Sequence, residues 1–170
     1  MPQPSLAFYV TDVVVLLCAI GAFASLFHEF TRRLVPRFRL LVPGVLATLS
    51  TTLLIAYPEP KDLGQLQLWS VVAVCLLLGV ARGALIRMYT DHNWSVVRVR
   101  RTFDGLFVGG MHLLFAGVQF TVEMAAGSEN PLEVTFEFLM VVTGSFLLGR
   151  SAAAWVRART IPHDDLRNTG

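Results

Sequence analysis

Charge is scarce in this chain: Asp, Glu, Lys and Arg make up 15% of its 170 residues, against roughly 25% in a soluble globular domain. Beside a hydrophobic content of 54%, that shortage excludes an ordinary soluble enzyme. Cysteine is scarce too. Cys18 and Cys75 are the two cysteines, and each lies inside an apolar block, so neither a disulfide scaffold nor a CxxC motif for redox or zinc chemistry can be built. The formal net charge of +2 is too small for a nucleic-acid binder, and no nucleic-acid partner is expected. Ser/Gly-rich linkers, low-complexity tracts and internal repeats are missing as well, which leaves a single domain over residues 1–170.

What the chain has instead is apolar residues gathered in blocks about 20 long, the length that crosses a hydrocarbon core of about 30 Å at 1.5 Å per residue. Five spans are expected, at Leu6 to Phe27, Leu40 to Tyr57, Leu66 to Ile86, Gly105 to Met124 and Val134 to Val156. The fold class is therefore all-α, a polytopic membrane helical bundle. The second span is the shortest and carries Pro43, Ser50, Thr51 and Thr52, so neighbouring helices must satisfy its freed backbone groups.

The flanking charges orient the bundle, because Lys and Arg collect on the cytoplasmic side. Arg32, Arg33, Arg37 and Arg39 follow span one; Arg87, Arg98, Arg100 and Arg101 follow span three; Arg157, Arg159 and Arg167 follow span five. The other two connections hold Lys61 as their one cation, with Glu59, Asp62, Glu129 and Glu133. This alternation places the N-terminus outside and the C-terminus in the cytoplasm. Met1 to Phe8 carries no positive charge, so span one reads as a retained anchor and not as a cleaved signal peptide. The cytoplasmic arginines are expected to meet anionic lipid headgroups.

Between spans three and four, the run YTDHNWSVVRVRRTF (89–103) alternates Val97, Arg98, Val99 and Arg100 at the strand period after the turn-prone Asp91, His92 and Asn93. It forms either a small hairpin or an interfacial strip with its valines and Trp94 in the headgroup layer, and the strip is the preferred expectation.

Polar residues inside a bilayer are costly, so they are informative. On span four, Gly105, Gly109, His112, Ala116, Gln119 and Glu123 share one helical stripe, opposite the bulky Phe107, Leu113, Leu114, Val118 and Phe120. The stripe should face the bundle. It reads first as packing, with glycines for close approach and His112 and Gln119 bonding across helices, and second as a polar track with His112 and Glu123 exchanging protons. Span three offers Gly79 and Gly83 as a small-xxx-small pair with Arg82 between them. Arg82 either snorkels to the inner phosphates or meets Asp104 or Glu29 at the inner mouth of the bundle. Thr11, Val15, Cys18, Ala22 and Ser25 make a small-residue seam on span one; Gly144, Ser145, Gly149 and Ser151, with Arg150 near the inner end, make another on span five.

No cofactor or metal is expected. His28 ends span one, whereas His112 lies roughly 12 Å inside span four, a mismatch for bis-histidine haem. His92 and His163 have no second ligand at metal spacing. The carboxylates toward the outer side, Asp12, Glu59, Asp62, Glu123, Glu129, Glu133 and Glu137, read either as a cation-gathering surface or as the ordinary acidic residues of short external loops and span ends, and the second is the preferred expectation.

The run LLLGVARGALIRMYTDHNWSVVRVRRTFDGLFVGGMHLLF (76–115) joins a glycine-containing helix, a basic hairpin-like link and a second helix through Gly79, Arg82, Gly83, Asp91, Val97, Arg98 and Arg101. In this it resembles small bacterial membrane proteins of the CcdC-like type. The resemblance covers about a quarter of the chain and implies a bacterial cytoplasmic (inner) membrane, but it transfers no activity and no active residues. A link to cytochrome c maturation gains nothing from a chain without CxxCH or CxxC.

With no paired intramembrane Asp, HExxH or GxSxG-type serine, the sequence points to a non-enzymatic accessory or assembly partner. It would bind another membrane protein or its own copy. The alternative is a small transporter or proton-coupled channel using the span-four stripe of His112, Gln119 and Glu123, which with Arg82 make the candidate intramembrane polar site.

Overall fold

The structure, a computed structural model, describes residues 6–32, 34–56, 65–91, 93, 95–126 and 132–162, without the side chains of 6–9, 65, 66, 123, 125, 126 and 132–134. Its helices are α1 (Leu6–Thr31), α2 (Val42–Ala56), α3 (Gln65–Leu85), α4 (Phe103–Ala126) and α5 (Leu132–Thr160). Five helices are long and apolar enough to cross a membrane. The short second one reaches that length because a 3-10 turn, Arg37–Leu40, leads into α2 and extends the element to 20 residues. Pro43 sits in the first turn of α2, where its missing N–H is no loss. The connections that carry Glu59, Lys61, Asp62, Glu129 and Glu133 in the sequence reading, like His92, Trp94, His163 and Arg167, lie outside the described residues or side chains.

Helix α1 packs on α2 and α4, and α5 packs on the same two, so these four close a ring; α3 lies outside it, against α5. The small residues foreseen on span three explain that placement. A Cβ built at Gly79 would run into the carbonyl oxygen of Phe146 and lie 2.9 Å from the Arg150 nitrogen; at Gly83 it would meet the carbonyl oxygen of Arg150. From the opposite side, a Cβ at Gly149 would meet the carbonyl of Leu76. Backbone touches backbone here, and the close approach supplies dispersion contact over the length of the crossing. The outward face of α3 carries Val74, Leu77, Leu78 and Leu85, all exposed. Within the ring, a Cβ at Gly109 would strike the Leu26 side chain and one at Gly144 would strike the Thr51 hydroxyl, so both positions pack as foreseen.

The link between α3 and α4 corrects the expectation of a headgroup strip. It is a hairpin: β2 (Met88–Asp91) pairs antiparallel with β3 (Val96–Val99), Tyr89 opposite Arg98 and Asp91 opposite Val96. A third strand, β1 (Val35–Pro36), comes from the link between α1 and α2 and pairs with the free edge of β3. The alternation that suggested a strand acts here as expected of one. Val35, Met88, Thr90, Val97 and Val99 are buried, and Met88, Val97 and Val99 pack on Leu40, Ile86, Ala154 and Ala158 with Trp155 and Ile161 alongside. A headgroup layer cannot offer such a core; the extended end of α5 does. The turn is held by the Asp91 carboxylate, which accepts the Asn93 N–H at 3.0 Å, and by Ser95 in the left-handed region at φ 52°. The Arg37 N–H then donates to the Ser95 carbonyl at 3.0 Å, tying the tip to the 3-10 turn. Arg157 of α5 donates to the carbonyls of Ala84 and Ile86, closing the open end of α3.

Because the α3–α5 crossing has no side-chain end to move aside, Gly79→Leu should cost more than the ~1–3 kcal/mol of ordinary overpacking. The exposed Leu78→Ala should stay within about 0.5 kcal/mol. Thermal unfolding midpoints in one mild detergent measure the difference.

Candidate functional site

The residues foreseen inside the bundle fall into two layers. The first surrounds His112. The stripe on α4 faces inward as expected, with Gly105, Gly109, His112, Ala116 and Gln119 buried and Phe107 and Leu114 exposed. The His112 ring is fully buried; its Nε2 lies 2.8 Å from the Ser50 hydroxyl of α2 and its Nδ1 2.8 Å from the Thr143 hydroxyl of α5. Both hydroxyls also reach backbone carbonyls of their own helices, Ala47 at 2.8 Å and Leu139 at 2.9 Å. A neutral imidazole has one N–H, so one hydroxyl must leave its carbonyl and donate to the ring. The group is a polar staple joining three helices. Apolar layers close it on both sides: Val15, Ala19, Leu54, Phe115, Ala116 and Met140 on one, Ala22, Leu26, Ala47 and Leu147 on the other. Gln119 is buried about two turns further along α4. The Glu123 side chain lies outside the described residues.

The second layer is ionic and lies where the helices meet the sheet. Arg82 pairs with Asp104, one of the two partners foreseen, through Nε to Oδ2 at 2.9 Å and Nη2 to Oδ1 at 3.1 Å. This bidentate pair is at the rim, with the Arg82 side chain 43% exposed. The other foreseen partner, Glu29, is taken by Arg150, whose Nη2 donates to its Oε1 at 3.0 Å. Arg150 also approaches Asp104 at 3.8 Å and the Thr102 hydroxyl at 3.5 Å, and its side chain is 2% exposed. Four helices converge on it: α1 brings Glu29, α4 brings Asp104, α5 brings Arg150 itself, and α3 brings Arg82 through the shared Asp104. Gly105 makes the space, since a Cβ there would lie 2.7 Å from the guanidinium carbon. Sequence reasoning placed Arg150 at the end of a packing seam and missed this role. The available signal was spacing: Arg150 lies about two turns before Arg157 and about two and a half before Arg159, too deep to be only a flanking charge.

Chemically, these layers hold helices together. Among the described residues, no three His, Cys, Asp or Glu side chains come together in a way that suits a metal ion. His28, at the end of α1, receives the Arg39 guanidinium at 2.7 Å, away from His112. Compared with family models, curated proteins and solved structures, the chain matches none.

Removing one member of the buried ion pair strands the other. Arg150→Met should therefore destabilise by ~3–5 kcal/mol, with much of the loss recovered in Arg150→Met, Glu29→Leu. Arg82→Gln, at the rim, should cost no more than about 1 kcal/mol. His112→Ala frees two hydroxyls that keep their own carbonyls, so its hydrogen-bond loss should be about 1 kcal/mol, with cavity formation added. Unfolding of the four variants in mixed micelles gives this order directly.

Proposed function

We propose that this chain is a multi-pass protein of a bacterial cytoplasmic membrane, with its N-terminus outside and its C-terminus in the cytoplasm. On this reading it acts without catalysis, as an accessory or assembly partner in a larger membrane complex. The observation that carries the proposal is that the described ionisable groups in the bundle's polar layers engage one another across helices: His112 with two hydroxyls, Arg150 with Glu29, Arg82 with Asp104. Groups fixed in this way position helices. The burial of His112 weighs against the alternative of a proton-coupled track, which needs the ring to meet water.

Orientation is supported by the arginines. Those that the structure describes lie toward the end of the bundle that carries the sheet, the distribution that membrane insertion gives to a cytoplasmic face. That face is ordered, since both of its loops contribute strands to one sheet braced by α5. An ordered basic surface on a membrane-embedded bundle suits a protein that docks and holds.

Two measurements test the reading. A reporter fused after Gly170 should be active only in the cytoplasm, and activity on the outer side would overturn the orientation. In mild detergent the chain should run as an assembly, with its own copy or a defined partner; a lone monomer would overturn the assembly role.

A further inference from the structure

The outer face of the sheet has a composition that the bundle itself does not use. An open basin of about 480 Å³ is lined, among the described residues, by Arg32, Arg87, Tyr89, Arg98, Val99, Arg100 and Arg101, five of them arginines. The strand period explains how they come together. Met88, Thr90, Val97 and Val99 are turned inward and buried, so Arg87 and Tyr89 on one strand and Arg98 and Arg100 on the next share the opposite face. Tyr89 stands opposite Arg98. The Arg100 N–H donates to the Arg87 carbonyl at 3.0 Å, continuing the ladder and setting Arg100 opposite Arg87.

Like charges directly opposite each other weaken a sheet, and neither arginine can turn inward without exposing the valine face. Two of the described carboxylates at this end of the bundle are engaged within it, Glu29 with Arg150 and Asp104 with Arg82. The remaining arginines come from helix ends. Arg32 follows α1, and Arg101 precedes α4 with its guanidinium 5.7 Å from the Phe30 ring centre. The half-exposed Tyr89 adds a phenol O–H on the same surface.

We propose that this basin binds a phosphate-bearing anion. Guanidinium groups take phosphate oxygens in pairs, and Arg32, Arg87, Arg100 and Arg101 around one concave surface suit a ligand carrying two or more negative charges. Two sources share this chemistry, the headgroup of an anionic phospholipid and a soluble di- or polyphosphate. The lipid source rests on the orientation proposed above, which puts the sheet at headgroup level; the soluble source does not depend on it.

The test uses the full chain in neutral detergent, with the unfolding midpoint read against two probes. In one arm inorganic pyrophosphate is titrated. In the other, mixed micelles contain diphosphatidylglycerol or, as the zwitterionic reference, phosphatidylcholine. Wild type should show a saturable rise with at least one phosphate probe and none with phosphatidylcholine. Arg87→Gln, Arg100→Gln should unfold at or above the wild-type midpoint without probe, because a like-charge contact is gone, yet bind about tenfold or more weakly, as the loss of two charge-assisted contacts requires. Arg32→Gln, Arg101→Gln, which leaves the hairpin intact, should weaken binding as well, whereas Arg39→Gln, away from the basin, should respond like wild type. A rise with the lipid alone assigns the headgroup, a rise with pyrophosphate alone assigns a soluble ligand, and a rise with both assigns one site that accepts either. No rise with either probe, or an equal rise in wild type and both double variants, overturns the proposal. None of these outcomes depends on whether the chain assembles with a partner, so the two readings fail separately.

Discussion

Burying a guanidinium in a helix apolar enough to cross a membrane costs several kcal/mol unless partners meet it there, and much of the sheet end of this protein is arranged to meet Arg150. Glu29 must come from α1 and Asp104 from α4 at the same level, which fixes the vertical register of both against α5. Gly105 must be glycine for the guanidinium to lie against α4. Asp104, reached by Arg150 from within, holds Arg82 from outside and so links α3 to the same cluster. One buried charge thereby sets the relative heights of four helices, which apolar packing alone, being non-directional, would leave free to slide.

The second constraint is the contact between backbones. Helix α5 carries glycine toward α3 at position 149 and receives glycine from α3 at 79 and 83. With the other side of α5 closing the ring through α2 and α4, it becomes the axis of the fold. Its length matters as much as its position, because the end of α5 continues past the ionic layer and supplies Ala154, Trp155 and Ala158 to the core under the sheet. The two loops that follow α1 and α3 share one core with α5, Leu40, Ile86, Met88, Val97 and Val99 lying against Ala154 and Ala158. They form a sheet because α5 gives their valines and methionine something to pack on, and their arginines are then displayed by default on the other face.

Much of this was legible in the residues. Block length gave the five helices, since hydropathy over about 20 residues is a local property. The inward stripe of α4 followed from helical spacing, with Gly105, Gly109, His112 and Gln119 on one face and Phe107 and Leu114 on the other. The rim pair of Arg82 with Asp104 was one of two foreseen partners. The buried pair was not foreseen, because nothing local to Arg150 says that Glu29, 121 positions away in the chain, stands at its height. Strand β1 was likewise invisible: two residues, one of them Pro36, carry no period, and they become a strand only because the edge of β3 is adjacent.

The alternation over 96–100 shows where the division falls. Local sequence dictates that these residues have two faces, one of valine and one of arginine, because side-chain direction in an extended segment is set by covalent geometry. It also dictates that the arginines cluster after the first, third and fifth apolar blocks. Whether the valine face would lie in lipid headgroups or on protein depended on what stood beneath it. Helix packing settled it, by bringing the end of α5 under the hairpin and the neighbouring loop along its edge. Burial against a partner from another part of the chain is a long-range property, and no window of sequence contains it.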